Sequence, residues 1–408
     1  MPVEPMGSSA ARLPQLMIDR GLYRFDLPDE RIAQQPPEAV GRSRSDARLL
    51  VAHRGGERVE HRRFEDLTAY LRPNDAFVLN NARVVPSVLR GRDRSGDPVA
   101  VQIFSPVGDG TWHCMVLPSS SCRPGARLDF GEGELTGTLR HEEGERIWRL
   151  QLQPDDVEAL ERVGEHAYSW YLDSSTDPDH YRTVYASRGG ATGLPSAGRH
   201  LTEEMLAEIS ALGVEIVEVT LDIAVRWTYE GFRANFWDLA RPDPFAERPP
   251  FIYEEQYGPP RPERYEVPLE AADAINACRR RGGRIVVCGT SALRTLETVT
   301  DESGHVYPGT GWTGILISPG HELRACDAFL TNFHMPMSTE LLLTAAVLGG
   351  REELLDLYER EVLARDYAFN EFGDSMLITG DARRISPRRP GQAPDWAGED
   401  PRRGITGG

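Results

Sequence analysis

Ala328-Phe-Leu-Thr-Asn-Phe-His-Met-Pro-Met-Ser-Thr339 is an apolar run that stops in a polar loop and then enters a helix-forming stretch, Glu340 to Leu348. Such a run reads as a buried strand whose end delivers Asn332 and His334 to a crevice. Pro336 stops the strand, and Ser338 or Thr339 caps the helix that follows, leaving its first N–H groups to face a polar or anionic ligand. A second stretch has the same design. Arg284-Ile-Val-Val-Cys-Gly289 reads as a buried strand, and Thr290 and Ser291 open a helix that carries Arg294, Thr295 and Glu297. Two hydroxyl-rich corners of this kind predict a small-molecule site in an α/β protein.

Outward from these corners, helices and strands alternate. The pattern predicts a helix over 202–212, a strand over 214–223, a helix over 268–281, and then the two corners above. Residues 84–152 differ: short alternating runs such as Val99-Ala-Val-Gln-Ile-Phe104 and Ile147-Trp-Arg-Leu-Gln-Leu152 are separated by glycine-rich turns. This reads as a compact antiparallel barrel or sandwich inserted into the α/β domain. The fold expected is a three-layer-like α/β domain over 20–82 and 153–382 with an inserted β domain over 83–152. Residues 1–19 read as a disordered leader, and 383–408, crowded with Arg, Pro and Gly, as a disordered tail. From Tyr229 to Tyr265, aromatics and prolines crowd a long loop, which reads either as a lid over a ligand or as a loop packed on the surface.

Composition narrows the partners. The 408 residues are 40% hydrophobic with a formal charge of -17, so the chain can bury a sizeable core but lacks broad attraction for nucleic acid. Its five cysteines form no CxxC pair, as expected of reduced thiols in a cytoplasm. No apolar run reaches the roughly 18 residues of a membrane span. A cytoplasmic protein, taken as a monomer with no membrane partner, is expected.

Several short words then occur in order. Near the start stand Phe25-Asp-Leu-Pro28, Val78-Leu-Asn80 and Arg83-Val-Val-Pro86. Further on come Pro195-Ser-Ala-Gly-Arg-His200, Gly289-Thr-Ser-Ala-Leu-Arg294-Thr-Leu-Glu297, Gly311-Trp-Thr313, Thr331-Asn-Phe-His334-Met-Pro336 and Phe372-Gly-Asp374-Ser-Met-Leu-Ile378. Together, over about 23 to 379, they resemble the S-adenosylmethionine:tRNA ribosyltransferase-isomerase family of queuosine biosynthesis. The resemblance implies an α/β domain with an inserted β-barrel. It implies transfer and isomerisation of the ribosyl group of S-adenosylmethionine onto 7-aminomethyl-7-deazaguanine in tRNA, giving epoxyqueuosine with release of adenine and methionine. No metal, and no cofactor beyond S-adenosylmethionine as co-substrate, is implied.

The sulfonium acidifies the adjacent ribose carbon, so a general base opens such a reaction and an acid helps adenine depart. His334, His200 and Asp374 are the catalytic candidates, although His200 equally reads as a helix-capping residue and Asp374 as positional. Thr290, Ser291 and Arg294 are candidates for the ribose hydroxyls or the methionine carboxylate. Glu297 reads either as a partner for the amino group or as a partner for Arg294 on the same helix. Trp312 reads as a stacking surface for a purine or as core. Asn332, Ser338, Thr339, Asn80 and Arg83 complete the set of binding candidates.

The chain departs from the family pattern in several words. Leu221-Asp222-Ile-Ala-Val-Arg226-Trp227-Thr228 stands where a Leu-His-Val-Gly-x-Gly-Thr-Phe run is usual. Asn80-Asn81-Ala82-Arg83 replaces Asn-Asp-Thr-Arg, and Arg261 replaces the histidine of a His-x-Glu motif. Three readings therefore stand: the family reaction on tRNA, use of the same donor with a small-molecule acceptor, and a non-catalytic binding protein. The first requires a basic surface, for which Arg182, Arg188, Arg199, Arg226 and Arg279 to Arg281 are candidates.

Overall fold

Ala76–Asn80, five residues of which none is exposed, forms a central strand of the larger sheet. The computed structural model describes residues 19–54, 58–144, 146–169, 171–172, 176–225, 232 and 262–380. The expected leader (Asp19 apart), the expected tail, Arg226, Arg261 and most of the 229–265 segment lie outside the described residues.

Nine strands make this sheet, in the order Gly309–Thr313, Glu263–Val267, Glu215–Leu221, Ala76–Asn80, Ile285–Cys288, Ala328–Asn332, Ser375–Thr379, Arg48–His53 and Val59–Arg63. The four from Glu215–Leu221 to Ala328–Asn332 run parallel. Ser375–Thr379 turns antiparallel to Ala328–Asn332 and parallel to Arg48–His53. Because side chains alternate across a strand, Ala76 and Val78 pack with one group of helices while Phe77 and Leu79 pack on the opposite face. The first group contains Leu269–Arg280, Thr290–Val299 and Thr339–Leu348; the second face is covered by the turn Phe64–Tyr70 and the helix Glu203–Ala211. Two apolar faces on central strands explain why the strand words read as continuous apolar runs. The helix expected over 202–212 begins where expected, with Thr202 accepting a hydrogen bond from the Met205 N–H at 3.2 Å.

The short-strand region is a closed barrel. Val88–Asp93, Pro98–Gly108, Thr111–Leu117, Ile147–Gln153, Leu135–Gly144 and Arg127–Phe130 pair in that order, and Arg127–Phe130 pairs back onto Val88–Asp93. Its interior is filled by alternate residues, among them Val101, Trp112, Leu128, Phe130 and Leu150, and the helix Val157–Val163 adds Ala159 and Leu160 to the same core. Gly91 makes the closure possible: a Cβ there would lie 2.0 Å from the Asp129 carbonyl oxygen across the seam.

Two parts of the aromatic segment are described. Phe232 is buried against Val88, Ala100, Phe104, Met115, Leu117 and Ala167 on the outside of the barrel. Glu263, Arg264 and Tyr265, read from sequence as the end of a loop, belong to the strand Glu263–Val267, because the register with Gly309–Thr313 pairs their backbones.

Gly91→Ala is expected to lower thermal stability by about 1–3 kcal/mol, the range for overpacking a filled interior. Calorimetric unfolding checks this, and an unchanged transition would mean that the seam tolerates a side chain.

Candidate functional site

Parallel strands place their C-terminal ends on one edge of a sheet, and Asn80, Leu221, Cys288 and Asn332 end the four parallel strands here. Asn80 is 1% exposed and uses its whole amide. Its Nδ2 donates to the Leu221 carbonyl (3.1 Å) and to Ser291 Oγ (3.0 Å), and its Oδ1 accepts from the N–H groups of Ala82 (3.1 Å) and Leu221 (3.0 Å). Asn80 and Ser291 are thus brought together, and both are held by the fold. Thr290 begins its helix directly after Gly289, whose φ of 90° lies in the region that favours glycine. No side chain caps this N-terminus.

The 328–339 corner is tied to the same edge. Asn332 accepts from Ser196 Oγ at 3.1 Å, and His334 Nε2 lies 2.8 Å from Thr331 Oγ1. Burial pushes the His334 imidazole down to about 4, so it is neutral at physiological pH. Ser338 caps the helix Thr339–Leu348 by accepting from the Leu341 N–H at 3.2 Å, while the Thr339 hydroxyl donates to Glu340. Asn332, His334, Ser338 and Thr339 thus all lie on the strand end and the loop after it, each bonded to a different partner.

Other candidates point elsewhere. His200 lies in the core against Phe64, with Nδ1 2.9 Å from the Arg44 carbonyl, and burial pushes it down to about 4. Asp374 accepts from the backbone N–H groups of Arg48 (2.7 Å) and Ala368 (2.9 Å), which fasten the start of one strand to the turn before another. Arg294 forms an ion pair with Glu263 and donates to the Ile315 carbonyl at 3.2 Å. Glu297 partners neither an open cleft nor Arg294: it accepts from the N–H groups of Arg324 (2.9 Å) and Ala325 (2.8 Å) and faces His321 at 3.1 Å. Arg83 pairs with Glu161. Trp312, 42% exposed, stands on an edge strand with its ring 6.3 Å from that of His113 on the barrel.

Two acids outside the candidate set also stand out, Asp222 from the altered 221–228 run and Glu371. Asp222 directly follows Leu221, is 1% exposed, and faces Arg264 at 3.2 Å, with burial raising its carboxyl to about 6. Glu371 accepts from Ser169 Oγ (2.9 Å) and Tyr181 OH (3.1 Å), and burial raises its carboxyl to about 7. The only local signal for Glu371 was its place between the aromatic residues Phe369 and Phe372. Among the described residues no group of three His, Cys, Asp or Glu side chains is arranged to hold a metal, and no helix is long and apolar enough to cross a membrane.

Four parallel strands ending on one edge beside an uncapped helix N-terminus make an α/β protein of the open-sheet class, in which the strand-end edge is the usual place for a ligand. The family model described as queuosine biosynthesis protein matches residues 21–235 and 254–378. An S-adenosylmethionine:tRNA ribosyltransferase-isomerase of Symbiobacterium thermophilum is 39% identical over 87% of this chain and 98% of its own length. One of the same description from Caldanaerobacter subterraneus is 37% identical over 88% of this chain and 99% of its own length. A crystal structure of S-adenosylmethionine tRNA ribosyltransferase from Thermotoga maritima is 29% identical, with a TM-score of 0.47, covering 88% of this chain and 99% of that one. The chain belongs to the S-adenosylmethionine:tRNA ribosyltransferase-isomerase family.

Arg294→Ala leaves Glu263 buried without its cation and is expected to lower stability by on the order of 3 kcal/mol, with most of the loss restored in Arg294→Ala/Glu263→Gln. Urea unfolding of the single and double variants checks this. His200 stays neutral down to about 4, whereas its ordinary value is 6.5. The unfolded chain thus binds the extra proton first, and the stability present above 6.5 is lost as pH falls through that window toward 4. His200→Asn is expected to flatten this acid limb in unfolding measured from pH 7 to pH 4, and an unaltered slope would place the acid sensitivity elsewhere.

Proposed function

We propose that this protein transfers and isomerises the ribosyl group of S-adenosylmethionine onto 7-aminomethyl-7-deazaguanine in tRNA, releasing adenine and methionine and leaving epoxyqueuosine. The observation that carries the reading is the 39% identity to a relative of that description along 98% of the relative's length. Donor binding falls to the discontinuous α/β part, 20–82 with 153–382, and the β part over 83–152 adds a second wall near Trp312. The protein acts as a monomer in the cytoplasm, where its tRNA is found, with no cofactor beyond its co-substrate.

The donor's groups match the crevice in kind. A carboxylate suits the uncapped helix N-terminus at Thr290 and Ser291, where backbone N–H groups and the helix dipole favour negative charge. Ribose hydroxyls suit the strand-end segment that carries Asn332 and Thr339, and His334 in the same segment is a neutral imidazole able to donate or accept one hydrogen bond. The departures at 80–82 and over 221–225, the described part of the second run, leave these groups in place. Nothing observed favours a small-molecule acceptor or a non-catalytic role over the tRNA reaction.

The test is mass spectrometry of products from the purified protein and S-adenosylmethionine, with and without tRNA carrying 7-aminomethyl-7-deazaguanine. Adenine, methionine and an epoxyqueuosine-mass nucleoside are expected only with the tRNA. His334→Ala is expected to reduce turnover by about 100-fold, the lower range for losing a group that serves proton transfer. Donor consumption that ignores tRNA would overturn the acceptor assignment.

A further inference from the structure

Most of the arginines that the sequence offers for a basic surface already have partners. Arg182 pairs with Asp179 (2.8 Å), Arg188 with Glu266 (3.1 Å), Arg199 with Glu38 (2.6 Å) and Arg281 with Glu215 (3.0 Å), and Arg279 donates to the carbonyls of Gly304 and Arg324. On a chain of formal charge -17, a polyanion needs a local stretch of positive charge that carboxylates leave free. The outer face of the barrel supplies one, and it begins at the crevice. Asp222, the first residue after the strand end at Leu221, faces Arg264 at 3.2 Å, and Arg264 is paired in register with Trp312. The exposed Trp312 ring stands 6.3 Å from that of His113 on the barrel strand Thr111–Leu117. Successive barrel strands carry the line outward. His113 is opposite Arg149 on Ile147–Gln153. Arg149 sits in the bulge between the pairs Trp148–Glu142 and Leu150–Leu139, which sets it across from Arg140 and His141 on Leu135–Gly144. Thr138, two residues before Arg140 and on the same face, is opposite Arg127 on Arg127–Phe130. Strands in a sheet lie about 4.8 Å apart, so the three steps from His113 to Arg127 cover roughly 14 Å.

The charges along this line are unevenly matched. Arg127 and Arg140 are exposed, and neither forms an ion pair among the described residues. Arg149 shares Glu143 with His113, whose Nε2 lies 2.8 Å from that carboxylate, and with His141 at 3.4 Å. Burial, offset in part by Glu143, lowers the His113 imidazole, so arginines carry the positive charge. Asp129, an acid on the same face, stands opposite Arg92. An aromatic ring at the crevice, followed by unpaired guanidinium groups, suits a single strand of nucleic acid, whose bases stack on rings while its phosphates meet cations.

Resting on the tRNA reading above, we propose that this line on the barrel is the track of the tRNA backbone: Trp312 stacks an unpaired base beside the crevice, and Arg140 and Arg127 hold the phosphates that follow. The barrel is then the part of the protein that carries the RNA, and the strand-end crevice keeps the chemistry. Each guanidinium that meets a phosphate releases a counterion, so binding weakens as salt rises. The negative charge of the chain as a whole disfavours RNA elsewhere on the surface, which leaves the track to decide how the substrate lies.

The experiment is equilibrium binding of tRNA carrying 7-aminomethyl-7-deazaguanine, followed by fluorescence anisotropy across a salt series, for the wild type, Arg127→Gln/Arg140→Gln, Arg127→Lys/Arg140→Lys and Trp312→Ala. The Gln pair is expected to weaken binding about 10-fold and to flatten the plot of log affinity against log salt by roughly 1.4, or roughly 0.7 for each phosphate contact on a single strand. The Lys pair keeps both charges and is expected to stay within about 3-fold of the wild type with the same slope. Trp312→Ala is expected to lose about 10-fold with the slope unchanged, because a stacked base releases no counterion. KM for S-adenosylmethionine at saturating tRNA is expected to stay within about 3-fold in every variant, since the track binds the acceptor and not the donor. A Gln pair that binds the tRNA like the wild type with the same salt slope overturns the proposal while the tRNA reading stands. A Trp312→Ala enzyme whose loss falls on the donor KM instead of tRNA affinity overturns the stacking role. A wild type that neither binds the modified tRNA nor forms a tRNA-dependent product overturns the tRNA reading, and this proposal with it.

Discussion

The side-chain amide of Asn80 fixes the spacing of the crevice. It hydrogen bonds both the carbonyl and the N–H of Leu221 on the next strand, the Ala82 N–H on its own chain, and the Ser291 hydroxyl at the start of a helix. One buried amide therefore joins two strand ends and a helix N-terminus, with two donor and two acceptor interactions made. An aliphatic residue in its place would leave the N–H groups of Ala82 and Leu221 without this acceptor, each at a cost of about 1–3 kcal/mol. The Leu221 strand end and the Thr290 helix start inherit their spacing from this knot.

A second set of constraints ties the other half of the edge. Asp374 binds two backbone N–H groups, Asn370 binds the Phe333 carbonyl, and Asn332 reaches both Ser196 and the Asp374 carbonyl. The 369–374 turn, the 195–200 turn and the 332–339 loop are thus one hydrogen-bonded assembly. Residues quoted for the family resemblance turn out to do two kinds of work. Asn80, Asp374, His200 and the capping Ser338 hold backbone in place, whereas the side chains of His334 and Thr339 bond to other side chains of the strand-end segment.

Much of the fold was legible because burial imposes a period. Strands covered on both faces read as short apolar runs, as in Ile285–Cys288 and Ala328–Asn332, and the barrel strands alternate because only one face is inside. The strand Glu263–Val267 was missed since its side chains, Glu-Arg-Tyr-Glu-Val, carry no such pattern; its place is set by pairing with Gly309–Thr313. The site was legible only in part. Residue type marks Arg294 and Glu297 as ligand-binding, yet their partners, Glu263 and the 321–325 backbone, are distant in sequence and cannot be read locally. The burial of Glu371 and Asp222 could not be read for the complementary reason: an acid becomes distinctive only when the fold removes water from it.

The order of strands has a consequence for how the chain is made. Barrel strands follow one another between residues 88 and 153 and close among themselves, so their contacts are local and can form as soon as that stretch leaves the ribosome. The large sheet is different, since Arg48–His53, an early strand, takes Ser375–Thr379 as its parallel neighbour. During synthesis that early strand waits with one edge uncovered until nearly all the described chain has emerged, making the last strand the step that ends the nascent protein's exposure to wrong partners.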